Sequence, residues 1–178
     1  MTSSALSIQD NFLPQDKFDI LKNIITNSEF PWYFNTNIAD PDKEDTPGFF
    51  THMIYNDYTP RSLIFDSIFC PILNMMNIAA LFKIRMNLNF RLPIPYVSIF
   101  HIDILNATEF LATHSTTSIL YINTNNGYTE LETGEKIESI ENRLVSFPLS
   151  TKHRVITQTD EQTRILINFN YLNHGTEK

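Results

Sequence analysis

Lys83-Ile84-Arg85-Met86-Asn87-Leu88-Asn89-Phe90 alternates polar and apolar residues along its whole length, the period of a strand with one buried face. The same texture continues downstream. Runs at Tyr96–Ile104, Thr116–Asn123, Thr129–Glu132, Arg143–Phe147 and Arg164–Leu172 read as strands, and Asn125-Asn126-Gly127 and Thr133-Gly134 read as turns between them. Short strands at this spacing over residues 81–173 predict a sandwich, jelly roll or barrel. Residues 1–80 carry helical signals instead. Pro14 ahead of Gln15-Asp16-Lys17 marks a helix start, and Phe18, Leu21, Ile24 and Ile25 follow at helical spacing. A second helix is expected over Ser62 to Met76, kinked or split at Pro71. Phe30-Pro31-Trp32-Tyr33-Phe34 reads as an extended aromatic segment, with Trp32 in the core, and Ile38 to Gly48 as an acidic loop.

At 178 residues the chain is expected to form a single domain, residues 1–178, with residues 1–80 as helical support for a β core. Apolar residues at 42% and aromatics at 12% supply material for a packed interior. Twenty acidic against thirteen basic side chains give a net charge of −7, which argues against a general nucleic-acid binder and against an anionic membrane surface. The single cysteine, Cys70, forbids an internal disulfide and any Cys-rich zinc module, and its apolar neighbours predict a buried thiol. No basic, apolar leader opens the sequence, and no apolar run reaches the ~18 residues of a membrane span. The expectation is a soluble, reduced, cytoplasmic protein.

Of the five histidines, His101 is the most informative, because it stands in Phe100-His101-Ile102-Asp103-Ile104. On a strand, His101 and Asp103 project from one face while Phe100, Ile102 and Ile104 take the other. With one histidine from a distant strand they make a 2-His-1-carboxylate set, which occupies one face of an octahedral metal and leaves three positions open. His153, in Ser150-Thr151-Lys152-His153-Arg154, is the third candidate, and His114 is its rival. Eleven residues after His153, Arg164 opens a strand on which Leu166, Asn168 and Asn170 share its face. An arginine there is placed to hold a dicarboxylate through a bidentate pair.

From Phe100 to Tyr171 the chain resembles the Fe(II)/2-oxoglutarate-dependent dioxygenases, in particular the small prolyl 4-hydroxylase-like oxygenases of bacteriophages and marine bacteria. The matching pieces are Phe100-His101-Ile102-Asp103, Ile119 to Thr129, Glu141 to Phe147, His153, and Arg164 with Asn168-Phe169-Asn170-Tyr171. Phe30 to Asn35 resembles the same group. The resemblance implies a mainly β chain with N-terminal helices, folded as a double-stranded β-helix (a jelly roll, cupin-like). It implies Fe(II) on His101, Asp103 and His153, and the distal carboxylate of 2-oxoglutarate on Arg164. It implies hydroxylation of a C–H bond using O2, with release of succinate and CO2, stimulated by ascorbate. Many relatives carry Ser or Thr two residues after the arginine, where this chain has Leu166, so a second contact to the carboxylate must come from elsewhere. Tyr96, Asn87 and Tyr121 are the candidates.

The segment Asn106–Ser115 reads as a lid, in which His114 is either a substrate contact or a solvent-facing residue. His52 is expected to pack, His174 to belong to the tail, and Asn142-Arg143 to stabilise a turn. A peptidyl proline, or another small molecule or peptide, is the substrate class the resemblance implies, in the host cytoplasm for a phage protein. Two other readings share these residues: a jelly-roll metal-binding module without turnover, and a nucleic-acid demethylase, which the charge disfavours.

Overall fold

The computed structural model describes residues 6–36, 46–76, 78–105 and 107–174. In chain order its elements are β1 (Ser7–Gln9), α1 (Gln15–Ile25), β2 (Tyr33–Asn35), β3 (Phe49–Asn56) and β4 (Thr59–Pro60). A turn of π-helix (Phe65–Phe69) runs into α2 (Cys70–Leu73), followed by β5 (Ile78–Phe90), α3 (Glu109–His114) and β6 (Ser115–Tyr121). Then come β7 (Asn125–Leu131), β8 (Lys136–Ser139), β9 (Leu144–Pro148), β10 (His153–Ile156) and β11 (Thr163–Asn173).

The strands form two antiparallel sheets. The larger runs β1-β9-β6-β11-β5-β3-β2, with β4 on β3, and the smaller runs β10-β7-β8. β11 is central, pairing with β5 on one side and β6 on the other. Its alternation divides the molecule as the sequence predicts. Ile165, Ile167, Phe169 and Tyr171 cluster with Phe18, Leu21 and Ile25 of α1, the apolar stripe of that helix. The opposite face of β11 carries Arg164, Leu166, Asn168 and Asn170, and there Leu166 joins a second cluster with Tyr121, Leu131, Ile137 and Phe147 from both sheets. The interior between the sheets is therefore apolar toward one side and polar where a site can form. No helix among the described residues is long and apolar enough to cross a membrane.

Several expectations need correction. Residues 1–80 are not only helical: β1 to β4 lie there, and the run Phe49-Phe50-Thr51-His52-Met53-Ile54-Tyr55 pairs with β5 because its aromatic and β-branched residues suit a half-buried strand. The expected second helix is broken, as Pro71 foretold, into the π-turn and the short α2. Residues 96–104 do not form a continuous strand. Only two isolated bridges remain, Val97 to Ile156 and His101 to His153, because Pro93 and Pro95 lack N–H groups upstream and hydroxyls replace carbonyls in the ladder. Val155 N–H donates to Ser98 Oγ, and Tyr96 N–H to Thr157 Oγ1.

Asn125-Asn126-Gly127 is not a turn but the start of β7, with a register shift before Tyr128. Thr133-Gly134 is the turn expected, with Gly134 at φ 101°. Cys70 is half-buried rather than core, its thiol 3.9 Å from the Asp66 carboxylate, and burial pushes its pKa up. Trp32 packs at the edge of the core and donates its indole N–H to the Ile25 carbonyl. Of the acidic loop, Asp40 to Asp45 lie outside the described residues, as does Asn106 at the start of the expected lid.

Candidate metal centre and carboxylate pocket

His101 and His153 are fifty-two residues apart and are brought face to face by a reciprocal pair of backbone hydrogen bonds, His101 N–H to His153 O at 3.0 Å and His153 N–H to His101 O at 2.9 Å. Their rings lie 4.7 Å apart between centroids, and the His153 ring also packs on Phe147. Asp103, two residues along, turns its carboxylate to both: Oδ1 stands 4.0 Å from His101 Nε2 and 3.8 Å from His153 Nε2. These separations are too long for hydrogen bonds. The three ligand atoms lie within 4.8 Å of one another, close enough to share one ion. His101 Nδ1 faces the Ile99 carbonyl at 3.4 Å, and since a carbonyl only accepts, that contact leaves the lone pair on Nε2, toward the site.

The electrostatics suit ligation. Burial, followed by electrostatic repulsion from the neighbouring His153, lowers the His101 pKa to about 4, so the ring is neutral and able to donate its lone pair. Burial acts to raise the Asp103 pKa, but the neighbouring His153, Arg85 and His101 and a hydrogen bond from Asn170 outweigh it and hold the carboxyl at about 2. Two amides grip this carboxylate: Asn168 Nδ2 at 3.2 Å and Asn170 Nδ2 at 3.1 Å from Oδ2. Both lie on the face of β11 that carries Arg164. A neutral His101, the His153 ring beside it and an ionised, clamped carboxylate form a donor set that fits a divalent cation with nitrogen and oxygen preferences.

Arg164 is fully buried. Its Nε donates to Ser139 Oγ at 2.8 Å and its Nη2 to Thr129 Oγ1 at 3.2 Å, while the guanidinium lies 5.5 Å from the centre of the Tyr121 ring. Nη1 has no partner, and no acidic side chain among the described residues pairs with this cation. Burial pulls its pKa down, yet a guanidinium stays charged in any protein interior. A buried unpaired charge is expensive unless an anion arrives. Thr129 Oγ1 also accepts from the Tyr121 hydroxyl at 2.7 Å, which leaves its own hydrogen free to donate to that anion.

A cavity of about 290 Å³ opens over the three ligands, with Arg85, Asn87, Asn89, Thr129 and Leu166 in its wall. The three residues expected as second contacts to a carboxylate lie in different places. Asn87 lines the cavity, and its Oδ1 has no hydrogen-bond partner. Tyr121 is fully buried and donates its hydroxyl to Thr129, and neither it nor Tyr96 lines the cavity. Thr129, Ser139, Asn168, Asn170 and Arg85 are the members that sequence reasoning missed as site residues. The last two asparagines were signalled by sharing the face of Arg164.

His114 does not join the three ligands. It ends α3, stacks on Phe110 at 4.3 Å and bonds to the Phe110 carbonyl through Nδ1. His52 is buried elsewhere, held by Pro31 O and Ser62 Oγ, a packing role as expected. Asn142 ties the N-terminal arm to the sheet, giving and taking hydrogen bonds with the Leu13 backbone.

No known family profile matches the chain, and no curated protein matches it. Solved structures do. A prolyl-4-hydroxylase from Pseudomonas putida superposes with a TM-score of 0.63 at 15% identity, over 96% of this chain and 93% of that one. A 2OG-Fe(II) oxygenase family oxidoreductase from Burkholderia pseudomallei gives 0.65 at 12% identity, over 96% and 86%. The viral collagen prolyl hydroxylase of Paramecium bursaria Chlorella virus-1, in its 2OG complex, gives 0.56 at 13% identity, over 97% of both chains. At these identities the likeness is one of fold, and it runs the length of the chain. The protein has the jelly-roll fold of the prolyl hydroxylases and 2OG-Fe(II) oxygenases, with His101, Asp103 and His153 gathered at its cavity.

Proposed function

We propose that the chain is an Fe(II)- and 2-oxoglutarate-dependent oxygenase that hydroxylates a C–H bond, with a prolyl ring as the first substrate to test. One observation carries this reading: a buried guanidinium without an acid lies on the same strand face as the amides that clamp Asp103. From Arg164 to Asn168 is four residues, about 13 Å along a strand. A five-carbon dicarboxylate and the arginine side chain can fill that interval together.

Bound Fe(II) would supply the redox chemistry that couples decarboxylation of 2-oxoglutarate, to succinate and CO2, with hydroxylation by O2. His101, Asp103 and His153 would hold the ion, at the wall of the cavity that would admit the cosubstrate. Arg164 would pair with the distal carboxylate, aided by the free hydroxyl hydrogen of Thr129. Ser139 and Thr129 fix the guanidinium plane beforehand, which lowers the cost of binding. Leu166 and Ile119 keep the cavity wall apolar beside them, favouring a dry reaction centre. Ascorbate would serve by keeping the iron reduced.

The prolyl ring is suggested by the prolyl hydroxylases among the similar folds. The net charge of −7 speaks for a small-molecule or peptide substrate over a nucleic acid. The test is release of labelled CO2 from 1-labelled 2-oxoglutarate by the iron-loaded protein, with Asp103→Ala as control. The reading requires turnover in the wild type and its loss in the variant. Equal turnover in the two, or none in wild-type protein that holds iron, would overturn it.

A further inference from the structure

Besides the buried Arg164, a second arginine lines the cavity itself, and the reaction as proposed has no use for it. Arg85 projects from β5 beside the ligands and lines the cavity, half-buried. Its Nε is buried without a partner, and among the described residues its guanidinium makes no ion pair, not even with Asp103, whose carboxyl it helps to keep ionised. Cross-strand register fixes its depth. Arg85 stands opposite Asn168, at the level of the ligands, while Arg164 stands opposite Asn89, deeper along the sheet. Lys83, the next residue outward on the same face, donates to the Asp103 backbone carbonyl at 3.4 Å and adds positive charge on that side.

The charges of a loaded site do not balance without another anion. Arg85 and Arg164 are positive and Asp103 is negative; the two positive charges of the ion and the two negative charges of 2-oxoglutarate cancel. One positive charge is left over at Arg85, to which Lys83 on the same side adds another, inside a protein whose net charge is −7. The distal carboxylate belongs to Arg164 and the other lies at the ion, so the unused guanidinium, at the level of the ligands, is free for something that arrives later. Arginine recognises carboxylates in a bidentate fork, and does so most strongly where water is scarce.

We propose that Arg85 docks a free carboxylate of the primary substrate, which places the neighbouring C–H bond over the metal centre. The inference rests on the oxygenase reading above and narrows it: the substrate is an anionic small molecule of amino-acid size, or a chain terminus, rather than an internal residue of a peptide. The 290 Å³ cavity, which must also hold the cosubstrate, is in keeping with a small reacting group. For a prolyl ring, the distinction lies between free proline, whose carboxylate adjoins the ring, and a peptidyl proline, where an amide replaces it.

The test uses the full chain loaded with Zn(II), which is diamagnetic and redox-inert, and saturated with 2-oxoglutarate. The Arg85 side-chain ¹⁵Nε resonance, assigned by its loss in Arg85→Gln, is followed during titration with propionate and with its neutral match, propionamide. L-Proline and L-prolinamide follow as a second pair, and Arg85→Lys tests whether charge alone suffices. The expected result is a saturable shift with each carboxylate and none with either amide. The carboxylates should also bind at least about tenfold more weakly to Arg85→Gln, the ratio of one charge-assisted hydrogen bond. No shift with either carboxylate, or equal shifts with acid and amide, would overturn the proposal. So would a shift caused by 2-oxoglutarate itself that leaves the carboxylates nothing to bind. Failure of 2-oxoglutarate to bind the Zn(II) protein at all is a separate result and overturns the oxygenase reading instead.

Discussion

Arg164 sets stability against binding at a single residue. Its charge is buried beside hydroxyls and an aromatic ring with no acid to neutralise it, an arrangement that costs several kcal/mol in the ligand-free protein. Replacing it by a flexible apolar side chain of similar length, Arg164→Met, is expected to leave the metal-free protein as stable or to stabilise it by about 1–4 kcal/mol. The same variant is expected to lose affinity for 2-oxoglutarate. Thermal unfolding and equilibrium binding read the two effects, and a variant that unfolds earlier while binding normally contradicts this role. The grouping of His101, Asp103 and His153 and the inward place of Arg164 were legible in the sequence because each sits in a local pattern: a His-x-Asp pair, a later histidine, and an arginine at a strand start. Arg85 was not, since an arginine in an alternating strand carries no mark of which sheet face meets a cavity. Thr129 and Ser139 were hidden for a like reason, because their role depends on a sheet the sequence does not announce.

Elements show where local pattern misleads. Asn-Asn-Gly is a strong turn signal, yet at residues 125–127 it forms the start of β7, since neighbouring chain satisfies its polar groups. The Asp160 carboxylate accepts the Asn126 N–H, and Asn126 exchanges side-chain hydrogen bonds with Thr159. Gly127 is required for close approach: a Cβ there would stand 2.9 Å from both Ile156 O and Gln158 N and 3.0 Å from Arg164 Cδ. Two of those atoms are backbone and cannot swing aside. Gly127→Ala is therefore expected to cost about 1–3 kcal/mol and, by displacing Arg164, to raise the 2-oxoglutarate concentration needed for half-saturation. Urea unfolding and a binding titration check both, and unchanged values for both contradict the assignment. The segment 96–104 is the converse case. It alternates like a strand, but the prolines ahead of it and the hydroxyls of Ser98 and Thr157 leave only two bridges, of which His101 to His153 is the one the site requires.

At the scale of the whole molecule, β11 separates an apolar half packed on α1 from a cavity walled by amides, Thr129 and Arg85, with the buried Arg164 hydrogen-bonded to that threonine. The jelly roll could be anticipated from strand count and spacing. The division of labour between its two sheets, and the recruitment of β1 to β3 from the region expected to be helical, could not, because sheet pairing is set by contacts far apart in sequence. Acid should weaken this arrangement in the metal-free protein. Histidine in an unfolded chain titrates near its ordinary value of 6.5, whereas His101 titrates at about 4 when folded, so the unfolded state binds the extra proton first. Stability therefore falls as pH drops from about 6.5 toward 4. It falls again below 3.8, where an unfolded aspartate takes up a proton that Asp103 refuses until about 2. Chemical unfolding across this range should show the upper step reduced in His101→Asn, and an unaltered profile would contradict it. The most direct test of the central claim is anaerobic titration of the Fe(II)-loaded protein with 2-oxoglutarate, followed by its weak visible metal-to-ligand charge-transfer absorption. The account predicts a saturable band in the wild type and at least about 30-fold more 2-oxoglutarate for the same band in Arg164→Ala, as expected when one partner of a buried charge pair is removed. No band from folded protein with iron bound, or an equal titration in the variant, would contradict it.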